Sequence, residues 1–352
     1  MSAGEGGEGK SVTLSPRGAY LAWAGGILFA AVFTLLIWLL APGLRRFTDT
    51  LLPDLGASWY YWKLPARGST AMLFTWAMYL GHQLSIWATI YLARARLGFR
   101  SSGVSGLPGY SLVALSVNVV FAFLHLLQTH VWFDGLAQDV PIWTSQNSVI
   151  IMLAVILVIE NPRRGLFLGR RAGKPFTARV SGFFRRNHPY VLAWALVYTF
   201  WFHPMASDPQ LLSGFLYMFL LLTQLSLAYT WVHLDTRWIV VLESYVAVHA
   251  LVVAVYNTLQ HGSVDMWPMF FAGFAFMFVF TQMYDLGLSR AVRWLVTATY
   301  LGFLAWIYGP RPLGLGRGLE LLLCLEVLWI PIVLYGLAAV FALIAYIRVG
   351  RK

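Results

Sequence analysis

Residues 118–165 read NVVFAFLHLLQTHVWFDGLAQDVPIWTSQNSVIIMLAVILVIENPRRG, and their pattern decides the fold. An apolar run closes at Trp132. A polar connection carrying Asp134 and Asp139 follows, and a second apolar run closes at Glu160 ahead of Asn-Pro-Arg-Arg. About 20 apolar residues in a helix cross the hydrocarbon core of a bilayer. The two runs therefore read as two successive membrane spans. The histidines, aspartates and Gln/Ser/Asn cluster gathered here make the stretch the first candidate for the seat of chemistry.

The rest of the chain extends this reading. It has 352 residues, 59% hydrophobic and 11% charged, against roughly 25% charged in a soluble domain. That composition defines a polytopic membrane protein with little soluble mass. Sixteen Trp and 17 Tyr suit aromatic belts at both interfaces. The single cysteine, Cys324, excludes an intramolecular disulfide and a cysteine metal site. The net charge of +11 sits in connections between apolar runs, so it marks topology and anionic lipid contact, with no nucleic-acid partner.

Ten segments qualify as spans: 19–42, 70–93, 110–132, 143–160, 190–205, 211–231, 237–257, 266–284, 290–309 and 318–347. The expected fold is an all-α bundle of about ten transmembrane helices. Residues 1–18 form a disordered tail, 19–347 one transmembrane domain and 348–352 a short basic tail. With ten spans, 19 of the 25 Lys and Arg fall on one side, which puts both termini in the cytoplasm. Compact loops and the lack of disulfides point to a bacterial inner membrane. Trp59 to Trp62 suit an interfacial segment, Pro162 ends the fourth span after Glu160, and Pro331 kinks the last. The connection 161–189 is basic throughout and offers a dock for anionic headgroups, with Arg163 and Arg164 as headgroup ligands.

Ionisable residues within spans are costly and face cavities or partners. Six of the eight histidines fall in the middle or outer part of the membrane on this topology. Three helical stripes gather around them: one along the second span through His82; Asn118, His125, Gln128 and Thr129 on the third; Tyr245, His249, Tyr256 and Gln260 on the seventh. Together they predict one outward-open polar cavity between these three spans. His125, His249 and His261 are its candidate catalytic residues and tentative metal ligands, with Asp134 as partner (Asp265 is the alternative). His82, Asn118, Gln128, Tyr245 and Gln260 would bind substrate. A divalent metal is the favoured cofactor and haem the lesser one, with neither specified by a motif.

Two short stretches resemble known families. Gly103-Val104-Ser105-Gly106 is similar to the GxSG of rhomboid proteases, but the companion histidine motifs are missing and the stretch reads as a turn. Leu259-Gln260-His261-Gly262 is similar to the histidine region of membrane-bound O-acyltransferases, which implies His261 as a base beside a lipid-borne acyl acceptor. The leading functional expectation is a membrane-embedded enzyme acting on a lipid or lipid-linked substrate. The second is a proton-coupled small-solute permease in which Glu243 and His249 carry protons. The third is a non-catalytic assembly subunit, its protein partners unspecified.

Overall fold

The computed structural model describes residues 16–53, 62–97, 106–171, 174–261, 267–323 and 326–350. Side chains are described for these residues except 16, 96–97, 174–179, 261, 323 and 349–350. The N-terminal tail to residue 15, Trp59 to Tyr61, the GxSG-like Gly103 to Ser105, Asp265 and Cys324 lie outside the described residues.

Among the described residues ten long helices carry the chain: α1 (Pro16–Leu40), α2 (Ser69–Leu97), α3 (Gly109–Trp132), α4 (Trp143–Arg164), α5 (Lys174–Phe202), α6 (Pro209–Ser226), α7 (Thr236–His261), α8 (Trp267–Phe280), α9 (Arg290–Tyr308) and α10 (Trp329–Gly350). Each overlaps one of the ten apolar segments. Seven of them, α1, α3, α4 and α7 to α10, are long and apolar enough to cross a membrane. Among the described residues no strand forms, only an isolated bridge between Phe167 and Arg170. Helices alone satisfy every backbone polar group within a single segment, which a lipid environment demands.

Local chemistry sets several boundaries. Asp208 caps α6 by accepting the Leu211 N–H at 2.9 Å, with Pro209 in the first turn, where its missing N–H costs nothing. Asp235 accepts the Trp238 N–H at 2.9 Å at the start of α7. Pro162 does not end α4 as expected: the helix runs on to Arg164 and stops at Gly165, whose φ of 82° is left-handed. Similarly, α5 begins at Lys174 and passes through Pro189, so much of the expected basic loop is helix. The expected single last span is divided. A short turn of helix, Leu319–Leu323, precedes α10, and Pro331 sits in the first turn of α10, where no kink is needed.

Helices α5 and α6 form the centre. α5 packs on α2, α4, α6 and α10, and α6 on α1, α3, α5 and α7. The main core cluster joins α1, α2, α3, α5 and α6, with Phe200, Trp201 and Phe202 fully buried. α9 sits at the edge against α8 and leaves Trp294, Leu295 and Leu301 exposed. Exposed leucines on a bundle of this composition are a lipid-facing surface. One expectation changes here. α2 and α3 pack together, but α6 lies between α3 and α7, so the three polar stripes do not line one space.

Candidate functional site: buried polar networks at the two poles

His82 is the simplest of the predicted site residues. Its Nε2–H donates to Asn118 Oδ1 at 2.8 Å, and Asn118 Nδ2 donates to Ser226 Oγ at 2.9 Å. Trp201 Nε1–H donates to His82 Nδ1 at 3.2 Å. Every partner is satisfied by one neutral tautomer. The ring stacks on Phe121 at 4.5 Å with the planes 5° apart. His82 and Asn118 thus join α2, α3, α5 and α6 as a packed polar bridge.

His125 is different. Its Nδ1 faces Gln128 Oε1 at 3.0 Å and its Nε2 faces the His203 carbonyl at 2.9 Å. Gln128 Nε2 donates to the Asp134 carbonyl at 2.6 Å, which fixes the amide so that its oxygen points at the imidazole. Both ring nitrogens therefore meet acceptors, and a neutral ring leaves one acceptor without a donor. All three residues, His125, Gln128 and Asp134, are fully buried.

Asp134 lies just past the end of α3, on a connection whose Phe133, Asp134, Leu136 and Ala137 are all buried. Phe133 opens it with a φ of 71°, and Gly135 packs so close to Trp201 that a Cβ there would collide with the Trp201 carbonyl. Both carboxylate oxygens of Asp134 are buried and make no well-aligned hydrogen bond, although the backbone of Leu64 and of Asp134 itself lies near enough to ease the burial slightly. Burial pushes this carboxyl up to about 6; Arg67 opposes the shift and Asp139 adds to it. Beside it Arg67 bonds Asp139 at 2.7 Å and the Gly135 carbonyl at 2.9 Å, and Trp76 Nε1 donates to Asp139 at 2.8 Å. Arg67 Nε and Gln138 Oε1 are likewise buried without partners.

His249 contacts a residue that the sequence reading passed over. Its Nδ1 lies 2.8 Å from Ser213 Oγ on α6, and the ring rests on Gly214, where an added Cβ would come within 3.1 Å of Cε1. The Ser-Gly pair inside the apolar run LLSGFLYMFL was the available signal. Tyr245 stacks on Tyr217 at 4.9 Å on the same interface. His203 sits within electrostatic reach of both His125 and His249, so three histidines follow one another from α3 past the end of α5 to the middle of α7.

His261 does not join them. It shares the continuous helix α7 with His249, twelve residues further on. At 1.5 Å per residue that is roughly 18 Å, too far for one ion with bonds near 2 Å. Gln260 beside it is exposed. Among the described residues no three His, Cys, Asp or Glu side chains gather as a metal site.

At the opposite pole Arg163 and Arg164 are taken by carboxylates. Arg164 grips Glu243 through both terminal nitrogens, with both side chains buried. Arg163 binds Glu160 at 2.5 Å, Asp285 at 2.7 Å and Thr236 Oγ1 at 2.6 Å. The Glu243 carboxylate, expected to carry protons, is half of a bidentate ion pair.

Comparison with known protein families, with curated proteins and with solved structures yields no match to this chain. What the fold itself defines is the class: a helical integral membrane protein.

Proposed function

We propose that this protein is a proton-coupled permease for a small solute and that Asp134 is its proton site. The observation that carries the reading is the Asp134 carboxyl, buried with no side-chain hydrogen-bond partner on a residue whose backbone carbonyl is linked through Gln128 to a histidine that faces two acceptors. Chains of Asp and His inside a membrane bundle are the usual means of handling protons there. Gain or loss of the Asp134 proton changes the charge beside Arg67 and Asp139, which tie the segment before α2 to the connection after α3. The outer closure of the bundle thereby becomes sensitive to protonation. In this reading all ten long helices cross a bacterial inner membrane, with both termini in the cytoplasm. The distribution of basic residues supports that orientation. Exposed Arg170, Arg171, Arg185 and Arg186 would meet anionic headgroups in place of the occupied Arg163 and Arg164.

Proteoliposomes containing a pH-sensitive dye, challenged with a panel of small polar solutes, test the coupling. Solute-dependent proton entry that Asp134→Asn abolishes supports the proposal. Solute entry with no proton movement contradicts it.

The Ser213–His249 contact favours a second reading, an enzyme acting on a membrane lipid. A hydroxyl within hydrogen-bond reach of an imidazole is the minimal arrangement for nucleophilic acyl transfer. Ser213 would be the nucleophile and His249 the base. A fluorophosphonate probe that labels the wild type and fails on Ser213→Ala would support it; no labelling of either would count against it.

A further inference from the structure

His188 and His233 meet at the pole opposite the His125 network, since the connections at the two ends of α6 lie at opposite ends of the bundle. His188 is carried by α5, and His233 lies in the single turn Val232–Leu234 between α6 and α7. A carbonyl can only accept a hydrogen bond. His188 Nδ1–H therefore donates to the Arg185 carbonyl at 2.9 Å, and His233 Nδ1–H donates to the Gln224 carbonyl at 3.0 Å. Gln224 holds the second ring's backbone in return: its Nε2 donates to the His233 carbonyl at 3.0 Å, and its Oε1 accepts the Trp238 indole N–H at 2.8 Å. Each ring is thus fixed in the tautomer that leaves an Nε2 lone pair, with no hydrogen-bond donor to either among the described residues.

The ring centroids are 5.9 Å apart, with the planes inclined by 24°. Two imidazoles bound to one ion through Nε2, with bonds of about 2 Å, place their centroids about 5 to 6 Å apart. Anchoring the far nitrogen to a backbone carbonyl is the arrangement that orients histidine ligands in metal sites. Glu160 lies within electrostatic reach of His233 and favours a cation, while the Arg185 charge near His188 opposes one.

We propose that His188 and His233 form a two-histidine site for a divalent transition metal, with zinc as the reference ion. Among the described residues no third side chain completes the set, so water fills the remaining positions and the ion exchanges freely. A bound ion would clamp α5 to the α6–α7 connection, where the two rings now face each other.

The test is a titration of zinc into the detergent-purified, chelator-stripped full chain, comparing wild type with His188→Ala, His233→Ala and His130→Gln. One-to-one binding that weakens about tenfold or more in either alanine variant, and is unchanged in His130→Gln, supports the site. Absence of binding, or binding that both alanine variants retain, overturns it. Should an alanine variant fail to fold, diethylpyrocarbonate modification of the wild type read by mass spectrometry decides. Zinc protects His188 and His233 together if the site exists, and protects neither if it does not.

Discussion

Gln128 gives its amide N–H to the Asp134 backbone carbonyl at 2.6 Å, and this bond determines what His125 meets on its Nδ1 side. With the amide oriented so, the imidazole faces an acceptor at each nitrogen, and Gln128 ties it through a backbone carbonyl to the residue that carries the buried Asp134 carboxyl. What His125 can bond to is therefore set by a glutamine that is not itself ionisable.

Stability should depend on pH through Asp134. Burial raises its folded value from the ordinary aspartate range to about 6. An acid raised in this way favours the folded state at low pH, below its unfolded value. That contribution is lost as pH rises from about 4 to above 6, and the loss amounts to about 3 kcal/mol. Asp134→Asn should melt higher than wild type at pH 7.5 and like it at pH 4. Thermal unfolding in detergent at both values measures this.

His125→Phe should cost about 1–3 kcal/mol. The neutral ring satisfies one of the two acceptors it faces, and the substitution leaves that one too buried without a donor. Gln128→Leu should cost nearly as much, because it strands His125 Nδ1 and the Asp134 carbonyl together. A double-mutant cycle should show strong coupling between the two positions, read as the shift in denaturation midpoint.

The Arg164–Glu243 pair should behave asymmetrically. Removing one partner with Arg164→Leu or Glu243→Leu leaves a buried charge and should cost about 3–5 kcal/mol, whereas the double substitution should recover most of that loss. Expression level and melting temperature of the three variants check the order. A double variant as unstable as the singles would mean that the pair does more than neutralise itself.

Gly135→Ala should also be poorly tolerated, since its Cβ would strike the Trp201 carbonyl. The buried connection would have to move, taking Asp134 with it. Loss of the pH-dependent component of stability in this variant, with helix content retained, is the expected result.

The helical architecture was legible because apolar runs of span length admit one kind of structure in lipid. Each of the ten runs overlaps a helix among the described residues, and seven of those helices are long and apolar enough to cross a membrane. Boundaries at prolines were not legible. Pro162 and Pro189 lie inside helices because packing of α4 against α5 holds the helix where one backbone bond is lost. Of the expected site residues, His82 with Asn118 and His125 with Gln128 are paired by spacing and packing. The expected convergence with His261 required a helix packing order that periodicity cannot convey. His249 found Ser213 instead, since α6 came between α3 and α7. Glu243 was expected to carry protons because its partner, Arg164, lay beyond a proline expected to end the helix.

Infrared difference spectroscopy of the carboxyl stretch tests the central claim most directly. Between pH 5 and pH 8 the wild type should show one protonated carboxyl that ionises near pH 6, and Asp134→Asn should lack that band. An Asp134 that is ionised throughout this range, or a band that survives in Asp134→Asn, would contradict the assignment of Asp134 as the proton site.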